Sequence, residues 1–361
     1  MKLTNKSFIL FYWSAIFLLL PSIQSCALIG LRQHDQGEVR GVAGRLGWEM
    51  TTPYNMVLVP GGSFMMGPVD QDMVEGVNTS KRKSVSSFYM DQTETTNNQY
   101  RQFINEMLDQ AANAADGSAG EVEDEEEATE NLLEAIDEEF VRTQLYPDSN
   151  VWRNDFTHHM ADTRVDYYYE HPAFDDYPVV GISWEAARFY ANWRSQYLNE
   201  YREKKGLAPY PNFSLPSAAQ WEYAARGGKE LAKYPWGGPY IRDDEGELRA
   251  NFKPGKGNFN EDGYSYTSPV TNFTPNDYGL YDMAGNVSEW TLDAYNPAAI
   301  FRTWDLDPVY LDEEQPMKVI KGGSWKDISR FLQTGVNDYE HKDSARSYIG
   351  FRCVIPKIGS E

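Results

Sequence analysis

GGSWKDISRFLQTGVNDYEHKDSARSYIGFRC, residues 322–353, decides the kind of fold this chain adopts. Gly, Asn and Asp recur every few residues, so neither the 3.6-residue spacing of a helix nor a long two-residue alternation survives. The same texture reaches back to Gly228 and forward through GFRCVIP (350–356), a short apolar closing strand. Short strands joined by long loops must therefore build this half, and something besides regular ladders must stabilise it.

The preceding half is more regular. NMVLVPGGSFMMG (55–67) reads as two short strands flanking a Gly61-Gly62 turn. That glycine pair lacks the Lys-Ser/Thr continuation of a phosphate loop. In TETTNNQYRQFINEML (93–108), Tyr100, Phe103, Ile104, Met107 and Leu108 fall on one helical face, with Thr95 or Thr96 as N-cap. A long helix is predicted from Trp184 to Lys205, capped by Ser183, closed by Gly206, with Tyr190, Trp193, Tyr197 and Tyr201 on one side. LPSAAQWEYAARGG (215–228) carries a Ser217-x-x-Gln220 capping box and ends at Gly227.

The first residues follow a secretion plan. Lys2 and Lys6 precede an apolar run from Phe8 to Leu20, too short to span a bilayer comfortably, and Ile23-Gln24-Ser25-Cys26 resembles a bacterial lipobox. Residues 1–25 are read as a lipoprotein signal peptide, with Cys26 carrying a diacylglycerol, and residues 26–55 as a lipidated tether. Only two cysteines are present, so Cys353 is left without an intramolecular partner and is expected to be buried and inert.

The net charge of −21 argues against nucleic acid and against attraction to anionic head groups. Much of it lies in EVEDEEEATENLLEAIDEE (121–139), inside an acidic insert of about residues 109–145. That insert is read as a solvated, self-repelling segment with one weak helix around Leu133, Ile136 and Phe140; divalent-ion capture is the other reading. The adjacent pair His158-His159 lacks the i, i+4 spacing of a helical zinc site and reads as a wet loop. DYYYEHP (166–172) is either a contact patch or core-edge packing. A chain of 361 residues with 41% hydrophobic and 14% aromatic content has material for a substantial core.

MVLVPGGSFMMG, YMDQTETTNNQYRQFI, YPVVGISWEAARFYANW, LPSAAQWEYAARGG, YPWGG, PNDYGLYDMAGNVSEWT, KGGSW and ARSYIGFR resemble, in this order, the formylglycine-generating enzyme (sulfatase-modifying factor) family. The resemblance covers about residues 56–356, leaving 357–361 as a tail, and implies one large α+β domain of C-type-lectin-like kind, poor in regular secondary structure. Catalytic members oxidise a peptide cysteine with a pair of Cu(I)-binding cysteines, two and seven residues after the Trp of GGSW. Those positions here hold Asp327 and Leu332, which are not ligands for a soft ion. No copper and no enzyme activity are therefore expected; Asp327 acting as a base beside His341 is the minor alternative.

The same resemblance implies two structural calcium sites. One would use the Asn251 side chain, the Phe252 carbonyl, the Asp262 carboxylate and the Tyr264 carbonyl. The other would use Asp282, where the enzyme has Asn, the carbonyls of Gly285 and Val287, and Glu289. The same stretches also read as simple turns.

A narrower resemblance, through the lipobox, YPWGGPY, ANFKPGKGNF, AGNVSEWTLDAYNPAA and the 322–352 stretch, is to the GldK/PorK lipoproteins of gliding motility and type IX secretion. It implies a lipid anchor in the outer membrane, a periplasmic orientation, and self-association in a ring with a GldN/PorN-like partner. The related GldJ lipoproteins share motifs such as VWRNDF. A calcium-dependent lectin-like module and a cysteine oxidase are the readings from other classes.

Overall fold

In the computed structural model, described over residues 49–68, 80–115, 137–155, 163–254, 258 and 260–359, the two ends of the domain meet in one sheet. β1 (Met56–Val59) pairs antiparallel with β4 (Phe88–Asp91), and β4 pairs on its other edge with β9 (Val354–Pro356). Of the closing strand read in GFRCVIP only the last three residues form β9, and β1, the first strand of the domain, lies across β4 in the same sheet. β2 (Gly62–Met66) pairs with β3 (Lys81–Val85) as a separate ribbon, so the Gly61-Gly62 turn moves the chain between sheets.

The third sheet has the order β7 (Asp338–His341), β6 (Met317–Lys321), β5 (Ser288–Ala294), β8 (Ile349–Gly350), with β5 and β8 parallel. Every strand in these sheets is short, as turn-rich sequence dictates.

α1 (Asn97–Ala115) buries Tyr100, Phe103, Ile104 and Met107 and half-buries Leu108. Thr96 is its cap: the Gln99 amide donates to Thr96 Oγ1, and the Thr96 amide to Gln99 Oε1. The helix expected around Phe140 appears as α2 (Glu138–Phe140), capped by Asp137 and running on as a π turn over Val141–Leu145. Leu133 and Ile136 lie outside the described residues. Two short helices follow, α3 (Val151–Asn154) and α4 (Thr163–Tyr167).

α5 (Trp184–Lys204) is capped by Ser183 and closed at Lys205 and Gly206. Its shared aromatic face is only half realised. Tyr190 and Trp193 are buried, but Tyr197 and Tyr201 are about half exposed, because the last turns run past the edge of the core. α6 (Ala218–Arg226) has both bonds of its capping box and a left-handed Gly227. The last helix, α7 (Ala299–Arg302), is one turn long.

The larger core fills the space between α1, α5 and the strands. Tyr100 stacks on Tyr190 at 5.7 Å, and Phe351 meets Tyr190 edge-on at 5.2 Å. A second core lies under α6, where Trp221 packs with Phe88, Met90 and Val319. Tyr168 and Tyr169 of DYYYEHP are buried, which leaves Tyr167 facing water; core packing accounts for that motif.

The compact unit begins at Met50, before the boundary expected at residue 56. Met50 is buried and its carbonyl accepts from the Tyr89 hydroxyl, so the last residues of the expected tether belong to the domain. Cys26, the stretch read as a signal peptide, most of the insert and His158-His159 lie outside the described residues. Among the described residues no helix is long and apolar enough to cross a membrane.

Candidate functional site

The stretch from Gly322 to Cys353 starts with two left-handed glycines. A Cβ on Gly323 would come within 2.8 Å of the Phe331 backbone, so only glycine lets the loop fold back on itself. Trp325 then anchors the turn. It sits 5.2 Å from Tyr266 and 6.4 Å from Trp152, and its indole N–H donates to the Ser347 carbonyl.

Asp327 is held by this turn. Its Oδ2 accepts from the amide and the hydroxyl of Ser324, and its carbonyl accepts from the Lys253 amide. A carboxylate capping its own loop is a structural device. Leu332 is fully buried, in a cluster with Tyr234, Leu248, Ala250, Phe252 and Ala284. His341 stands on β7 with its Nδ1 3.7 Å from Asp343. Among the described residues no hydrogen bond joins it to Asp327, so the acid–base pairing considered from sequence is not assembled.

Beside this turn lies a buried ionic centre. Arg352 donates to both oxygens of Glu289 at 2.7 Å, and the indole N–H of Trp221 donates to Glu289 Oε2 at 2.8 Å. Arg352 also donates to the carbonyls of Asp91, Gln92 and Tyr281. Asp282 accepts the Thr271 amide through Oδ2 at 3.0 Å. Burial pushes the Asp282 carboxyl up to about 6, with Arg352 and the Thr271 amide opposing.

Glu94, from the loop between β4 and α1, also reaches this centre. It accepts from Asn286 Nδ2 at 3.1 Å, and burial foremost, then Asp282, hold its carboxyl well above the ordinary range. No local pattern marks it, since TETTNNQY reads as a polar cap and gives no sign of which polar residue is buried.

The residues expected at the first calcium site converge. Asp262 accepts the amides of Phe252 (3.1 Å) and Tyr264 (3.0 Å) through its two oxygens, and burial raises its carboxyl. Asn251 is buried and donates to the Tyr266 carbonyl and to Asn286 Oδ1. Among the described residues no Lys or Arg pairs with Asp262. One carboxylate, one amide and nearby carbonyls suit a hard, oxygen-liganded ion.

At the second site Asp282, Gly285 and Val287 share one tight turn. Asp282, Gly285 and Asn286 are all left-handed, and a Cβ on Gly285 would lie 2.2 Å from the Asn251 carbonyl oxygen. Glu289, the fourth residue expected there, has both carboxylate oxygens engaged by Arg352 and Trp221. Among the described residues no three Asp, Glu, His or Cys side chains form a metal-holding group, so an ion here would depend on main-chain oxygens.

A sulfatase-modifying factor enzyme 1-like domain matches residues 47–357. The inactive C-alpha-formylglycine-generating enzyme 2 of Bos taurus is 29% identical over 322 residues, covering 83% of this chain and 87% of that protein. The formylglycine-generating enzyme of Thermomonospora curvata is 28% identical over 326 residues, covering 84% and 94%. Among solved structures, PvdO from Pseudomonas aeruginosa aligns with a TM-score of 0.55 at 20% identity, over 86% of this chain and 98% of its own. That likeness is one of fold. The domain match spans nearly all of the described architecture, and the chain belongs to the formylglycine-generating enzyme (FGE-sulfatase) family, with its α+β fold.

Proposed function

We propose that this chain is a non-catalytic structural lipoprotein of the GldK/PorK type, a subunit of the type IX secretion and gliding machinery. Cys26 carries the lipid that anchors it in the outer membrane, and the domain faces the periplasm, assembling in a ring with itself and a GldN/PorN-like partner. The observation that carries the non-catalytic part is the state of positions 327 and 332. One holds a carboxylate spent on its own turn, and the other a leucine sealed in the core. The name of the bovine relative, an inactive enzyme, supports the same reading. Calcium, at the loop junctions around Asp262 and Asp282, is the structural cofactor, stiffening a half that lacks long ladders; Asp327 and Leu332 offer copper no thiolate pair.

An exposed apolar strap supports the assembly role. The strap after α7 exposes Trp304 (88%), Leu306 (62%) and Leu311 (68%), yet it is firmly pinned. The buried Lys83 donates to the carbonyls of Thr303 and Trp304 and to the Asp305 carboxylate. Rigid, exposed aromatic and aliphatic side chains are what an interface uses. The test is co-purification of the full chain from outer membranes with a GldN/PorN-like protein, followed by imaging. Recovery as an isolated monomer that oxidises a cysteine peptide with copper and oxygen would overturn the proposal.

A further inference from the structure

Lys321 is the last residue of β6, and its side chain is wholly enclosed. Its Nζ donates to three oxygens: the Thr334 carbonyl at 2.8 Å, Asn337 Oδ1 at 2.9 Å and Glu222 Oε2 at 3.3 Å. Trp221 covers it, the ring centroid lying 5.6 Å from the nitrogen. An amine, a carboxamide and a carboxylate thus meet at one nitrogen that water does not reach. The sheet itself presents the first two to each other. β6 and β7 pair antiparallel with Ile320 opposite Asp338, so Lys321 and Asn337 are the next facing positions, where the ladder ends.

The charges at this point are uneven. Glu222 Oε1 is held by Arg226 at 2.6 Å and by the Gly67 amide at 2.8 Å, which leaves Oε2 to Lys321. One carboxylate therefore serves two buried cations, and among the described residues no other carboxylate forms an ion pair with either. Asp293, also buried, is taken up by the amides of Ala218 and Tyr310. A buried cation that shares its counter-charge is costly, and Lys321, unlike Arg226, can give up a proton.

We propose that Lys321 and Asn337 join in an intramolecular isopeptide bond, with Glu222 carrying the proton. Glu222 Oε2 takes a proton from the Lys321 ammonium, and the freed amine adds to the side-chain carbonyl carbon of Asn337. The attacking nitrogen passes one further proton to the Asn337 amide nitrogen, whose bond to that carbon breaks as ammonia leaves. The ammonia then takes the proton back from Glu222, so the net change is one new C–N bond, one broken C–N bond and one ammonium ion released. No oxidant, metal or cofactor is needed. Asn337 is exposed on its outer side, which gives the ammonia a way out. The bond would staple the two ends of the Gly322–Val336 loop, in the half where short ladders leave long loops to be held.

The test is mass spectrometry of the full chain, intact and after trypsin. Wild type is expected to be lighter than its processed sequence by one ammonia, and to yield a branched peptide joining Lys321 to Asn337 with no cut after Lys321. Lys321→Arg keeps the charge and Asn337→Ala removes the carboxamide; both are expected at full mass, with a lower Tm than wild type. Glu222→Gln is expected to stay wholly or partly unlinked. Should it not fold, Glu222→Asp, whose carboxylate is withdrawn by one methylene, tests the same role and is expected to link incompletely. Complete linkage in a folded Glu222 variant would overturn the part given to Glu222. Full mass in folded wild type, or an ammonia deficit without the branched peptide, would overturn the bond itself.

Discussion

Arg352 and Glu289 form a two-point ion pair in the interior, 2.7 Å at each contact, with neither side chain exposed. The remaining donors of Arg352 reach carbonyls at the end of β4 and in the loop at Tyr281. One guanidinium thus joins β5, β4 and a long loop, the kind of cross-link that short strands require.

Removing Arg352 should therefore be costly. Arg352→Met leaves the Glu289 carboxylate buried and uncompensated, and about 3–5 kcal/mol of stability should be lost. Arg352→Lys should recover little of it, because an ammonium cannot reproduce the planar fork. Urea unfolding measures both, and a loss under about 1 kcal/mol for Arg352→Met would contradict this role.

Asp293 gives stability a pH dependence of defined sign. Burial pushes its carboxyl from 3.8 up to about 6, while the amides of Ala218 and Tyr310 and the charge of Lys321 pull the other way. Between those values the folded protein holds a proton that the unfolded chain has released, so stability falls as pH rises through this window. The contribution is complete below about pH 4 and gone above about pH 6. Asp293→Asn cannot titrate, so the unfolding free energy of wild type minus that of the variant should decline over this range. A difference that stays flat with pH would show that Asp293 titrates as an ordinary carboxylate.

Trp304 separates contact from stability. Its side chain is almost wholly in water while its carbonyl accepts from Lys83, so Trp304→Ser should change folding stability by no more than about 0.5 kcal/mol. If the chain assembles in the ring proposed above, the same substitution should weaken that assembly, because large exposed aromatics carry much of an interface's binding energy. Size-exclusion analysis with a GldN/PorN-like partner is the measurement, and unaltered assembly would place the interface elsewhere.

Residues whose role depends on near neighbours in sequence were legible. Ser217 and Gln220 form their capping box, Ser183 caps α5, and the apolar stripe of α1 faces the core. Thr96 and Thr95 were indistinguishable as caps because both precede the same helix and differ only in which one faces Gln99. Tyr197 and Tyr201 kept the helical period, but period fixes a face and not the depth of the core beneath it. The pairing of β1 and β9 with β4 joins the two ends of the domain, and no local pattern records such a partner. Glu94 was missed for a related reason. Its neighbours in sequence are polar, and the groups it meets, Asn286 by a hydrogen bond and Asp282 by its charge, arrive from the far half of the chain.

Thiols placed at 327 and 332 would report whether this part of the fold is open, in a Cys26→Ser background. Cys353 is fully buried and its thiol is pushed up to about 12, by burial first and Asp91 second, so it should stay silent to a water-soluble disulfide reagent until the protein unfolds. Leu332 is equally enclosed; Leu332→Cys should cost about 1–3 kcal/mol through lost packing and remain silent as well. Asp327 keeps 14% of its side chain exposed, and Asp327→Cys should react in the folded protein at a measurable rate. The contrast matters because a copper-binding pair needs both thiols within reach of metal and substrate. Rapid native-state labelling at 332 would mean that the position opens to solvent and that Leu332 is not sealed in the core.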